Sequence, residues 1–165
     1  MNIAIVTGAS SGMGREFVRQ LGGYVSVDEI WAVARRASAL ETLKAEASVP
    51  VRPIVLDLLE ESSFTELEAL LESEKPNVRL LVNAAGFGKF GAYQKVPAED
   101  DCRMIDLNCK ALLLMTRLCV PYMQSGSHIL ELDSLSAFQP VPYITTYAAT
   151  KAFVLSYSRA MNREL

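Results

Sequence analysis

Apolar runs of about five residues alternate along the chain with longer stretches whose apolar positions recur every three or four residues. Ile3–Thr7, Ile30–Ala34, Val51–Leu56, Arg79–Asn83 and His128–Asp133 read as strands. Gly12–Leu21, Ala39–Ala47, Ser62–Glu72, Asp100–Met123 and Thr146–Glu164 read as helices between them. Short, nearly wholly apolar strands that alternate with helices predict βαβ units. Such units build a doubly wound α/β fold, a parallel sheet with helices on both faces. No linker, repeat or low-complexity segment interrupts the alternation, so residues 1–165 are expected to form one domain.

The fourth helix is apolar on more than one side. Met104, Leu107, Ala111, Met115 and Leu118 make one stripe, and Ile105, Leu112, Cys119 and Met123 lie beside it. A sheet covers only one side, so a second contact is expected. The last helix adds Phe153, Val154, Tyr157 and Met161 to the same argument.

Composition narrows the function classes. Half of the 165 residues are hydrophobic and the net charge is −3, with no basic run, which argues against a nucleic-acid partner. Three cysteines and one histidine show no metal-ligand spacing, so no metal is expected. Cys102, Cys109 and Cys119 read as reduced thiols of a cytoplasmic protein, and they and His128 suit core or strand-end positions. The chain runs straight into the strand "NIAIV", so no signal segment is expected ahead of it. "ALLLM" is too short to span a membrane.

Two stretches carry chemistry. "TGASSGMG", from Thr7 to Gly14, joins the first strand to the first helix. Gly8, Gly12 and Gly14 allow a tight turn, and the helix N-terminus offers N–H groups to a pyrophosphate. A plain tight connection is the alternative, and the position at the first βα turn favours the nucleotide site. "TYAATKAF" places Tyr147 and Lys151 one helical turn apart. An ammonium beside a phenol favours phenolate, which makes Tyr147 a candidate general acid for carbonyl reduction and a base in reverse. Ser134, just past the fifth strand, could donate a hydrogen bond to a substrate oxygen as charge develops there. Each feature has a plainer reading: a solvated Tyr–Lys pair, a serine bounding a turn, and, for Asn108, a bond to nearby backbone.

Taken together, "TGASSGMG", "NAAG" at Asn83–Gly86, Asn108, Ser134 and "YAATK" resemble the short-chain dehydrogenase/reductase family, in the family's order and separations. Ser134 stands thirteen residues before Tyr147, the family's usual interval. The resemblance implies a Rossmann-like NAD(P)-binding fold and an oxidoreductase that transfers hydride between a nicotinamide and a carbonyl or secondary alcohol. It implies that Ser134 orients the carbonyl, that Tyr147 protonates it, and that Lys151 binds the nicotinamide ribose. Asn108 would hold a water that links Lys151 to solvent.

For the cofactor, the resemblance points to Gly8, Ser10, Ser11, Gly12, Met13 and Gly14 at the pyrophosphate and to Asn83, Ala84, Ala85 and Gly86 after the fourth strand. It puts Asp57 and Leu58 at the adenine, and Tyr147 and Lys151 at the nicotinamide end. NAD-preferring relatives commonly place an acid where this chain has Ala34. Arg35 and Arg36 follow, and guanidinium suits a 2′-phosphate, so NADP(H) is expected over NAD(H). The resemblance also implies a homodimer or homotetramer built on the two apolar helices.

Family members usually continue through two more strands and a substrate loop, and nothing here matches that part. The chain is therefore expected to be a C-terminally truncated form, with "HILEL" as an apolar sheet edge. A non-catalytic dinucleotide-binding or dimerisation module is the competing function. Phe138, Val141 and Tyr143 are expected pocket walls for an apolar substrate.

Overall fold

The computed structural model describes residues 1–165. Five parallel strands, β1 (Asn2–Thr7), β2 (Glu29–Ala34), β3 (Val51–Val55), β4 (Asn77–Asn83) and β5 (His128–Glu131), form one sheet in the order β3-β2-β1-β4-β5. The helices are α1 (Gly12–Gln20), α2 (Ala37–Glu46), α3 (Glu61–Glu74), α4 (Ala98–Ile105), α5 (Leu112–Cys119) and α6 (Thr145–Glu164). The chain is a Rossmann-like α/β fold, as the alternation predicts. Strand order reverses between β1 and β4, and in open parallel sheets ligands bind at the carboxyl ends beside such a reversal.

Burial accounts for the strands. Ile3, Ile5 and Trp31 pack on one face against Leu67 and Leu71 of α3 and Met115 of α5, all fully buried. Ala4, Val6, Ile30 and Ala32 pack on the other against Val18 of α1 and Leu40 and Leu43 of α2. Pro53 is tolerated because β3 is an edge strand and pairs only with β2. β5 is the other edge, with β4 as its one neighbour.

The predicted helix Asp100–Met123 is not continuous. α4 starts two residues earlier, with Glu99, Asp100 and Asp101 favourably placed in its first turn. A π-helical turn, Asp106–Ala111, then separates it from α5, and a 3₁₀ turn closes the run at Tyr122. Asn108 sits inside the π turn. Periodicity at 3.6 residues misses such a turn, because the extra residue shifts the pattern without making it polar. Met104, Ala111, Leu112, Met115 and Cys119 are buried as expected, whereas Ile105 is 49% exposed. Of the residues expected in the core or at strand ends, Cys119 is in the core and His128 is at the start of β5. Cys109 is half-buried, and Cys102 on α4 is exposed, as is His128.

Candidate active site

The glycine turn closes onto the end of β4. Thr7 Oγ1 accepts the N–H groups of Ala84 and Ala85, both at 3.0 Å, which locks the ends of β1 and β4 together. Gly8 (φ +66°) lies so close that a Cβ there would meet Ala84 and Ala85 main-chain atoms at 2.9 Å. A Cβ on Gly14 would meet the Gly8 carbonyl oxygen at 2.5 Å, so α1 starts directly against the turn. No acidic residue opposes the positive end of α1, and Ser11 at its N-cap makes no side-chain cap bond.

Above this turn runs a groove of about 410 Å³. Gly8, Ser10, Ser11, Gly12, Met13, Gly14, Arg35, Arg36, Asp57, Leu58, Ala84, Ala85 and Gly86, all expected at the cofactor, line it. Leu59 and Leu107 line it too and had no sequence signal beyond apolar periodicity. Asn83 does not. Its side chain is buried on the α5 side of the sheet, where Nδ2 donates to Thr116 Oγ1 at 3.0 Å and to Glu131 Oε1 at 3.2 Å. Tyr147 and Lys151 also lie outside this lining.

The two arginines already have partners. Arg36 Nη2 donates to the carbonyl and the hydroxyl of Ser10, each at 3.2 Å. Arg35 Nη1 lies 3.7 Å from Asp57 Oδ2 in a largely exposed ion pair, a geometry of little energetic weight. Asp57 Oδ1 accepts the N–H of Leu59 at 3.1 Å, so this carboxylate also bounds a turn. Both guanidinium groups stay at the groove, at the end of β2.

Lys151 is only 8% exposed, and its Nζ donates to the main-chain carbonyl of Leu132 at 2.6 Å. That bond ties α6 to the end of β5, two residues before Ser134. The Lys151 ammonium stands 5.8 Å from the centre of the Tyr147 ring. Burial pushes the lysine below its ordinary value of 10.5, and the charges of Asp133, Cys109 and Glu131 oppose that shift. Tyr147 is flanked by the loop after β4: a Cβ on Gly88 would meet its ring at 2.9 Å, and the exposed Phe90 ring lies 6.4 Å away. Neither loop residue carried a sequence signal; both follow "NAAG" at a distance that periodicity does not read.

Asn108 is 1% exposed. Its side chain donates to the Phe87 carbonyl at 2.9 Å and to Thr150 Oγ1 at 3.1 Å, and accepts the Phe87 N–H at 3.0 Å. Ser134 caps the 3₁₀ turn Leu135–Phe138. Its Oγ accepts from the Ser136 N–H at 3.2 Å and from the Ser136 hydroxyl at 3.0 Å, which leaves its own O–H free to donate elsewhere. The plainer readings of both residues, backbone bonding and turn capping, are thus realised in the fold.

Phe138 and Val141 line a cavity of about 570 Å³ against Ala148, Ala149 and Ala152 of α6, with neither Ser134 nor Tyr147 in its lining. Tyr143 is not part of it and is exposed.

The family described as short chain dehydrogenase matches residues 2–165. A very-long-chain 3-oxoacyl-CoA reductase of Aspergillus oryzae is 34% identical over 175 residues, covering 98% of this chain and 49% of that protein. An NADP-dependent 3-hydroxy acid dehydrogenase of Escherichia coli is 34% identical over 171 residues, covering 99% of this chain and 66% of that protein. Among solved structures, a short-chain dehydrogenase from Sphingobium yanoikuyae in complex with NADPH superimposes with a TM-score of 0.86 at 31% identity. That match covers all of this chain and 66% of that one. The chain thus spans about half to two thirds of the length of these relatives.

Proposed function

The chain belongs to the short-chain dehydrogenase family, and from that premise we propose that it transfers hydride between NADP(H) and a carbonyl or secondary alcohol. The observation that carries the reading is the buried Lys151 ammonium, held to the end of β5 and beside Tyr147. A charged amine is costly to bury, and a plain solvated Tyr–Lys pair does not bury it.

The groove fits the cofactor. Its glycine-floored turn has no room for side chains at Gly8 and Gly14, and the N–H groups of α1 open beside it. Arg35 and Arg36 at the end of β2 support the phosphorylated form, as does the NADP dependence named for one relative. When bound, the reduced nicotinamide supplies the hydride that the carbonyl carbon takes up.

The chain's own residues do the rest. Ser134 donates its free O–H to the substrate oxygen and stabilises the charge that develops there. Tyr147 gives that oxygen its proton, so that a carbonyl, one hydride and one proton become an alcohol. Lys151 holds positive charge beside the phenol and would contact the ribose of a bound cofactor. Asn108 fixes the loop that flanks Tyr147 and lines the way for a water to Lys151. Phe90 and Gly88, at the phenol itself, are the walls for the substrate on this side.

We also assign to the protein a single domain and a homodimer or homotetramer. Phe153, 37% exposed and stacked on Tyr157 at 5.7 Å, supports pairing through α6. No helix is long and apolar enough to cross a membrane, and the three free thiols support a cytoplasmic setting.

The test is absorbance of the reduced cofactor with a panel of ketones, aldehydes, 3-oxo acids and 3-oxoacyl thioesters. Turnover with NADPH in preference to NADH is expected. Cofactor binding with no substrate consumed would instead establish a dinucleotide-binding or dimerisation module.

A further inference from the structure

The buried lysine faces polar groups that the reaction above leaves unused. Glu131, Leu132 and Asp133 succeed one another at the end of β5. Alternation along extended chain sends 131 and 133 to the face where Ile129 packs against the α3 and α5 side of the core. Leu132 packs on the opposite face, and its main-chain carbonyl receives the Lys151 hydrogen bond.

Glu131 and Asp133 are odd choices for packing. Glu131 Oε1 accepts from Asn83 and from Thr116, but Oε2 is buried without a partner. Asp133 Oδ1 is also buried without a partner. Orphaned carboxylate oxygens are costly unless a charge faces them. The cation placed here is Lys151, whose Nζ sits on the main-chain carbonyl between the two acids and 5.8 Å from the centre of the Tyr147 ring, within range of the charges of Asp133, Cys109 and Glu131.

The geometry points to Asp133 and Glu131 as positioning residues that keep Lys151 an ammonium against the Leu132 carbonyl. Through that lysine they set the pH range in which the proposed chemistry runs, a clause that rests on the function proposed above.

The electrostatics agree in direction. Asp133 is the strongest of the charges that push the Lys151 pKa back up against burial, followed by Cys109 and Glu131. Glu131 is the weaker partner because burial pushes its own carboxyl up, against the bonds from Asn83 and Thr116 and the charge of Lys151. Cys119 of α5 and Tyr157 of α6 are the other titratable groups near Glu131, and burial pushes both up, Cys119 to about 12. Both therefore stay neutral at physiological pH and add no negative charge beside Glu131.

Carbon-13 NMR of side-chain-labelled lysine reads the ionisation of Lys151 with no turnover, its resonance assigned by its loss in Lys151→Met. In Asp133→Asn the titration is expected to move to lower pH, and in Glu131→Gln by a smaller step. An unchanged Lys151 titration in two folded variants would overturn the proposal. Should either variant unfold, the reciprocal measurement decides. In Lys151→Met, the carboxyl carbon of Glu131 must titrate at higher pH than in the unaltered protein, and no movement overturns the pairing. Where turnover is measurable, the alkaline limb of carbonyl reduction should move to lower pH in Asp133→Asn. A shifted lysine without any turnover would sink the enzymatic reading and leave the pairing intact.

Discussion

Asn108 and Phe87 hold each other by two hydrogen bonds: the amide side chain of Asn108 donates to the Phe87 carbonyl at 2.9 Å and accepts its N–H at 3.0 Å. A side chain from the π turn thereby reproduces a strand-like pairing with the loop that carries Gly88 and Phe90 to Tyr147. Asn108→Ala leaves both Phe87 groups unpaired in a part-buried place. The expected cost is about 1–3 kcal/mol in urea unfolding, with an unchanged denaturant slope.

Gly8 and Gly12 both have positive φ, +66° and +57°, but differ in space. Gly12 opens onto nothing within 4 Å, so Gly12→Ala should carry only the left-handed backbone cost of about 1–2 kcal/mol. Gly8→Ala adds contact with the main chain of Ala84 and Ala85 and should cost more. It should also weaken cofactor binding more than Gly12→Ala does. Thermal unfolding and cofactor fluorescence titration of the two variants check the order.

Arg36 reaches the glycine turn through Ser10, and the proposed NADP(H) reading assigns it to the 2′-phosphate. Loss of one charge-assisted contact is worth about 1.5–3 kcal/mol, or roughly 10- to 100-fold. Arg36→Leu should lower NADPH affinity by that factor and leave NADH affinity nearly unchanged. Equal losses for both cofactors would remove Arg36 from the phosphate.

Glu131 gives the stability a definite pH dependence. Burial raises its folded-state pKa above the ordinary 4.5, so the folded protein holds that proton more tightly than the unfolded chain. Its stabilising contribution is complete below pH 4.5 and is lost as the pH rises through the folded-state value. Glu131→Gln cannot titrate. The difference in melting temperature between unaltered protein and variant should therefore change across that window and be flat above it.

Much of the fold was legible because its signals are local. Apolar runs gave the five strands within two residues at every end, and glycines at the first βα turn marked the groove. Residues whose roles depend on contacts across the sequence were not legible. The π turn at Asn108 is seated against Phe87, twenty-one residues away. Asn83 belongs to "NAAG", yet strand alternation turns its side chain away from the groove. Phe138 and Val141 follow Ser134 in sequence but line a cavity against α6 that does not include Tyr147. Two acids at positions 131 and 133, the last residue of β5 and the second after it, were a readable irregularity, whose meaning needed the buried lysine beside them.

Single-turnover hydride transfer in Tyr147→Phe, with cofactor affinity measured alongside, tests the central claim most directly. Removal of the proton donor should slow carbonyl reduction by about 10²- to 10⁴-fold and change the dissociation constant for NADPH by far less. A variant that reduces substrate at the full rate would contradict the account.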